Sequence, residues 1–313
     1  ISSLDGYTKY ILDKKIPHFL GCLRFINNIK VEVKDEKGKV FKDYKPKKDE
    51  NVIGSLTFKK SNFSFNFWMK PTKNFIYTNN DANDTLLNNQ VIFKKIYKNP
   101  SNNNLSGYIC FLSLENQDIL LNFSIINGTN STLSKVKILS LSDWNRSSPE
   151  PAWEDVWFNI HININNSRNR RKISFFIDNM NVTETQTSNL SISEDFDSNF
   201  NVSSLVIGNA ESISTYNNLN NVYIDEFKCY SKLLSQKNIE SQYQKNIFAQ
   251  RGLRLYLKFN ESNTDYSSNN ILLDSSGNKL HGKILSNSGT AINSSEIVNY
   301  KKSVEDTNIG KPL

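Results

Sequence analysis

Catalytic side chains are scarce in this chain. Its 313 residues include three histidines, His18, His161 and His281, and three cysteines, Cys22, Cys110 and Cys229. Three cysteines are too few for a disulfide scaffold, and their spacing fits no metal-ligand pattern. No G-x-S-x-G, H-E-x-x-H or glycine-rich phosphate loop occurs, so the usual hydrolase, metalloprotease and nucleotide-site signatures are missing. No run reaches the roughly 18 to 20 apolar residues that a membrane-spanning helix requires. No secretory leader opens the chain, which starts at Ile1 and stops at Leu313 in the manner of an excised piece. Concentrated charge is also lacking. The 38 basic and 31 acidic side chains leave a formal +7 spread along the sequence, whereas a nucleic-acid binder gathers such charge on one face. The one compact basic cluster, Arg168, Arg170, Arg171 and Lys172 in SRNRRK, reads as a solvated hairpin tip, with an anionic-ligand patch as the sharper alternative.

What is present supports a folded, all-β chain. Apolar residues make up 37% and aromatics 12%, enough for a core, and the length allows one large or two ordinary domains. The wealth of asparagine and of lysine over arginine reads as the coding bias of an AT-rich genome, of which malaria parasites and clostridia are examples. Short alternating runs recur throughout: FSFNFW, QVIFKKIY, GYICFLSL, ILLNFSII, VWFNIHINI, KISFFIDN and VYIDEFKCY. Phe63, Phe65 and Phe67 fall on one face of such a run, against Ser64, Asn66 and Trp68. Val156, Phe158, Ile160, Ile162 and Ile164 likewise oppose Trp157, Asn159, His161 and Asn163. Period two in aromatic and β-branched residues marks half-buried strands. Helical periodicity is confined to Leu233–Gln250. Many short strands joined by Asn, Ser and Gly turns predict an antiparallel sandwich.

The order of these runs resembles a laminin-G-like domain of the concanavalin A-like jelly-roll superfamily. FSFNFWMKP at 63–71 matches a family strand of the form F-T-I-S-x-W-[VM]-K-P. The segment EDVWFNIHININNSRNRRKISFFIDNMNV resembles its central hairpin, with Asp178-Asn179 in place of the usual D-G turn. SSLVIGNAE resembles its L-x-I-G strand, and YIDEFKCYSKLLSQKNIESQY its closing strand and edge helix. The resemblance spans Leu20 to Gln250 and implies that Ser235 caps the helix, with Ile239 and Tyr243 laid on the sheet. It places Phe227 and Cys229 inward, and brings Cys22 near Cys229 as a disulfide or as two separate buried thiols.

The remainder, 251–313, resembles the opening of a second similar unit, with D-S-S-G-N-x-x-H-G at 274–282. The alternative is that its strands complete the first sandwich beside Tyr223–Tyr230. Residues 1–19 form a lead-in.

The resemblance implies binding rather than catalysis. The glycosidase relatives use an E-x-D-x-x-E strand, absent here, and the carboxylates of SEDFDS and WED fall in loops. His281 reads as a turn-capping histidine. No cofactor is expected apart from a structural calcium on rim carboxylates, for which Asp178, Asp195, Asp197, Asp225 and Asp274 are available. The expected function is a non-enzymatic extracellular adhesion or receptor-binding module contacting a cell-surface protein. A lectin-like module binding glycan and a structural spacer in a large surface protein are the alternatives. Sequons at Asn62, Asn127 and Asn181 fit secretion weakly. The loop SDWNRSSPEPAWED carries the candidate contacts Trp144, Arg146 and Trp153. Trp68 and Trp157, on strands, read as packing residues. Neither nucleic-acid binding nor membrane insertion is expected.

Overall fold

The computed structural model describes residues 23–25, 29–34, 56–58, 61–71, 89–116, 118–140, 157–167, 170–182, 203–211, 213–245, 248–259 and 271–286. These form two packed, antiparallel sheets of a jelly-roll sandwich and one short helix. The smaller sheet runs β1 (Leu23–Phe25), β13 (Val222–Tyr230), β3 (Phe63–Pro71), β8 (Phe158–Ser167), β9 (Arg170–Ile177) and β10 (Met180–Asn181). There β14 (Leu253–Leu257) also pairs with β13. The larger sheet runs β15 (Ile271–Leu272), β16 (Gly282–Ser286), β2 (Ile29–Val33), β11 (Leu205–Ile207), β4 (Gln90–Lys98), β5 (Leu105–Glu115), β6 (Asp118–Gly128) and β7 (Asn130–Ser140). The two-residue β12 (Asn217–Asn218) lies parallel to β4.

The alternation in the sequence becomes the core. Phe63, Phe65, Phe67, Ile160, Ile162, Ile164 and Phe227 point from the smaller sheet towards Phe93, Tyr108 and Phe123 of the larger. Their rings interlock: Phe65 and Phe93 are 4.5 Å apart between centroids, and Phe93 meets Phe227 edge-on at 5.2 Å. Such pairs add about 0.5–1.5 kcal/mol each beyond area burial. Cys229 is buried in the same cluster, inward as the pattern implied. At the hairpin, Asp178 and Asn179 both take positive φ, 50° and 73°. That is the geometry of a type I′ turn, so the departure from D-G costs the hairpin little.

The closing strand passes into α1 (Gln236–Lys245). Ser235 Oγ accepts from the amide of Asn238 at 3.3 Å and donates to its side chain at 2.8 Å, a cap on the first turn. Ile239 is buried, and the Tyr243 ring stacks on Trp68 at 5.8 Å. The helix thus covers the outer face of the smaller sheet, the face opposite the core.

Residues beyond 250 join both sheets. On β13, Phe227 and Cys229 lie beside Leu257 and Leu255 of β14, while β16 pairs along the length of β2. The two additions are tied together by Asp274. Its Oδ1 accepts from the amides of Tyr256 and Ser276, both at 2.9 Å, and its Oδ2 from Ser276 Oγ at 2.8 Å and the Leu280 amide at 3.0 Å. His281 Nδ1 accepts from the Asp274 amide at 3.0 Å, the turn-capping role expected of it. Four donors converging on one nearly buried carboxylate make Asp274→Ala expensive, because the buried amides of Tyr256 and Leu280 would lose their acceptor. A loss of about 3 kcal/mol is expected in chemical denaturation, with the slope unchanged.

Candidate functional site

The outer face of the larger sheet carries a second apolar cluster, built from Val91, Ile109 and Phe111 on the strands with Ala210 and Ile213 from the loop after β11. That loop is a braced platform. Gly208 starts it at φ 84°, where a Cβ would overlap the Phe25 ring, so only glycine fits. Inside it, the Leu219 amide donates to Gly208 O at 3.0 Å, Ile213 to Ala210 O at 3.0 Å, and Tyr216 to Ile213 O at 3.1 Å. The Ala210 amide donates to Asn218 Oδ1 at 2.9 Å. From below, Lys30 forms an ion pair with Glu211 at 2.5 Å, and Lys94 donates to the Glu211 carbonyl. Burial beneath the loop pulls the Lys94 ammonium down to about 8.

The platform leaves an open groove of about 490 Å³ lined by Lys98, Glu211, Ile213, Ser214, Tyr216 and Asn218. Asn218 lies beside Val91 near the start of β4, and Lys98 ends that strand. Tyr216 packs edge-on against Phe111 at 4.9 Å, which fixes its ring. Burial raises the phenol above its ordinary value, so it stays a neutral donor. A fixed ring, a hydroxyl, an amide, a carboxylate and an exposed ammonium therefore line one trough.

The residues singled out from the sequence are distributed differently. Trp144, Arg146 and Trp153 lie outside the described residues, as do Arg168, Asp195, Asp197, His18 and Cys22. The basic cluster belongs to the hairpin of β8 and β9. Arg171 is 3% exposed whereas Lys172 is exposed, because alternate residues of β9 take opposite faces, and burial lowers the Arg171 value. Trp68 and Trp157 pack together beneath Tyr223 and Tyr243. Cys229 is buried in the core, and the pairing with Cys22 considered from the sequence falls on a residue outside those described.

Three of the carboxylates considered for calcium, Asp178, Asp225 and Asp274, accept hydrogen bonds from the chain itself. Asp178 Oδ1 accepts from the Asn159 amide at 2.8 Å and Asp225 Oδ1 from the Glu226 amide at 2.7 Å, while both oxygens of Asp274 are taken as above. Among the described residues no group of three or more His, Cys, Asp or Glu side chains converges as a metal site, and no helix is long and apolar enough to cross a membrane. The groove itself was not foreseen. GNAESISTYNN reads as an ordinary polar loop, and its one clue is the isolated Tyr216 among small polar residues.

In known structures the chain is similar to a protein of Bacteroides ovatus named for carbohydrate binding, with 13% identity and a TM-score of 0.46. The likeness covers 86% of this chain and 59% of that one. The CBM40 of a Ruminococcus gnavus IT-sialidase is similar at 10% identity and a TM-score of 0.41, over 71% of this chain and 95% of that one. The native heptameric SAP-like pentraxin of Limulus polyphemus is similar at 9% identity and 0.38, over 82% and 94%. No family model matches the chain, and no curated protein matches it.

Proposed function

We propose that this chain is a non-enzymatic, extracellular binding module that engages a glycan at a cell surface through the outer face of its larger sheet. The observation that carries this reading is the groove beside Tyr216, which is open and mixed in lining. An apolar helix or strand partner is served by a continuous hydrophobic trough. A polyol is served by an immobile ring flanked by hydroxyl, amide and charged groups, as here. The braced loop supports the reading, since a platform already held by Lys30 and Lys94 loses little freedom on binding.

The test is binding of a multimerised, labelled form of the protein to cells before and after surface glycans are stripped. Loss on stripping is expected. Tyr216→Ala is expected to weaken binding at least ten-fold, and the exposed Lys98→Ala several-fold with the melting temperature unchanged. Binding that survives stripping and tolerates both substitutions would replace the glycan by a protein partner and move attention to Trp144 and Trp153. Absence of binding in every arm would leave a spacer.

A further inference from the structure

His161 lies fully buried on the helix-covered face of the smaller sheet. Its neighbours on the adjoining strands are Asn66 of β3 and Phe176 of β9, whose ring it meets edge-on at 5.9 Å. Asn163 stands next to it on the same face, and the Asn163 side chain grips the backbone of Leu234 in both directions. Nδ2 donates to Leu234 O at 3.0 Å, and Oδ1 accepts from the Leu234 amide at 3.2 Å. This grip fixes the orientation of the amide, so Oδ1 must also be the atom that faces His161 Nε2 at 3.0 Å. The imidazole therefore holds its proton on Nε2, and Nδ1 is the basic nitrogen. Nδ1 has no hydrogen-bond partner among the described residues, and Asn66 Oδ1, Asn159 Nδ2 and Gln242 Oε1 on the same covered face are alike in this.

Leu234 immediately precedes the Ser235 cap of α1. The chain of contacts His161–Asn163–Leu234 thus ends at the point where the helix is fastened to the sheet. The helix then crosses the face to Tyr230, whose hydroxyl accepts from Gln242 at 2.9 Å, and to Trp68 under Tyr243. No carboxylate of the described residues answers His161. Asn66, Asn159, Asn163, Phe176, Ile239 and Gln242 are uncharged. Beyond Asn66, two strand spacings or about 10 Å away, stands the Lys228 ammonium, already paired with Glu226. Lys172 on β9 and Lys237 on α1 are exposed, and Glu240 and Lys232 are half-buried on the covering segment.

We propose that α1 and the segment fastening it form an acid-labile latch, in which protonation of His161 at Nδ1 unseats the helix while the sandwich beneath stays folded. A second proton on the ring needs an acceptor or water. One side of the imidazole is sheet, whose far face is the aromatic core, and the other is the helix, so lifting the helix is the shorter route to solvent. Burial holds the closed-state imidazole down at about 4 against an ordinary 6.5. The open state therefore binds more protons as pH falls through this interval, and opening is favoured there. It is unaffected above about pH 6.5 and its gain is complete below about 4. Over the full interval the opening equilibrium shifts by about 300-fold, and by roughly 50-fold between pH 7 and 4.5.

Hydrogen exchange on the full chain, corrected for intrinsic rates, tests this. Amides of 236–245 are expected to lose roughly 50-fold protection between pH 7 and pH 4.5, while β5 and β6 keep theirs. The non-titrating His161→Gln should abolish that dependence. In the unsubstituted protein, the imidazole should titrate near pH 4 from the Nε2–H tautomer by nuclear magnetic resonance, which keeps the test intact if the variant fails to fold. Equal loss of protection in β5 and β6, an unchanged helix, a full pH response in His161→Gln, or a titration near 6.5 would each overturn the latch.

Discussion

Cut after Gln250, the protein is expected to lose its cooperative unfolding transition. The remaining 250 residues contain the whole of the first unit that resembles a laminin-G-like domain, so a reading of the sequence as one sandwich plus an appended second unit predicts a stable fragment. The pairing predicts otherwise. Removing 251–313 strips β14 from β13 and β16 from β2. It also takes Leu255, Leu257, Phe259, Leu272 and Ile284 out of the main core, each at most 2% exposed. At roughly 1.5–3 kcal/mol per buried side chain of this kind, these five alone rival the roughly 5–15 kcal/mol by which domains are stable. The cut would uncover matching apolar surface on Phe227 and Cys229 and two open strand edges, which favour association. Near-UV circular dichroism and thermal melts of residues 1–250 beside the full chain check this. The expected fragment is aggregated or lacks a melt. A cooperative melt within a few degrees of the intact protein would show that the last strands are an accessory.

The difference between the two readings of 251–313 illustrates what a sequence displays. Strand existence was legible because period-two alternation is local: FSFNFW and VWFNIHINI declare their inward faces without reference to any partner. The cap at Ser235, the apolar face of Ile239 and Tyr243 and the tight turn at Asp178-Asn179 were legible for the same reason. Partner choice is not local. LRLYL and GKILS look alike as openings of a new sheet or as additions to an old one, since backbone pairing carries no side-chain mark. RRK reads as a charge cluster, whereas a strand sends neighbours to opposite faces, so that Arg171 is buried where Lys172 is exposed. The groove was illegible for another reason. It depends on a loop folding over β4, held by Glu211 between Lys30 and Lys94, residues far apart in the chain. Alternation set His161 on the face opposite Ile160 and Ile162 without saying which face is inward, and only the helix above it makes it buried.

Glu226→Ala should be among the most damaging single substitutions in the protein, at about 3–5 kcal/mol. Between Asp225 and Lys228 the pairing of β13 with β3 shifts register, and Glu226 sits in that bulge at φ 53°. The bulge re-aims a side chain that regular alternation would send elsewhere. Its carboxylate meets Lys228 Nζ at 2.6 Å and accepts from the Tyr256 hydroxyl, while the ammonium lies 4.4 Å from the centroid of the Tyr256 ring. Lys228 is 1% exposed and Glu226 5%. Burial lowers the Lys228 value, and burial with the neighbouring carboxylate raises that of Tyr256, so the phenol remains a donor. A pair this deep adds little net stability, because desolvation of two charges offsets their attraction. Removing one partner is different: the ammonium keeps its desolvation cost and loses its carboxylate, left with the Glu226 backbone carbonyl at 3.4 Å and the faces of Tyr256 and Phe248. The expected signature is therefore non-additive. In chemical denaturation, Glu226→Ala and Lys228→Met should each fall well below the unsubstituted protein, and the double variant should recover most of the loss. Part of any gain beyond that would come from a residue at position 226 that tolerates the left-handed backbone, so Glu226→Gly paired with Lys228→Met should be the more stable double. Single variants within about 1 kcal/mol of the unsubstituted protein would mean that water reaches the pair. Because Tyr256 belongs to β14, the same cluster fastens the last strands to β13, and its loss should loosen the segment whose removal abolishes the fold.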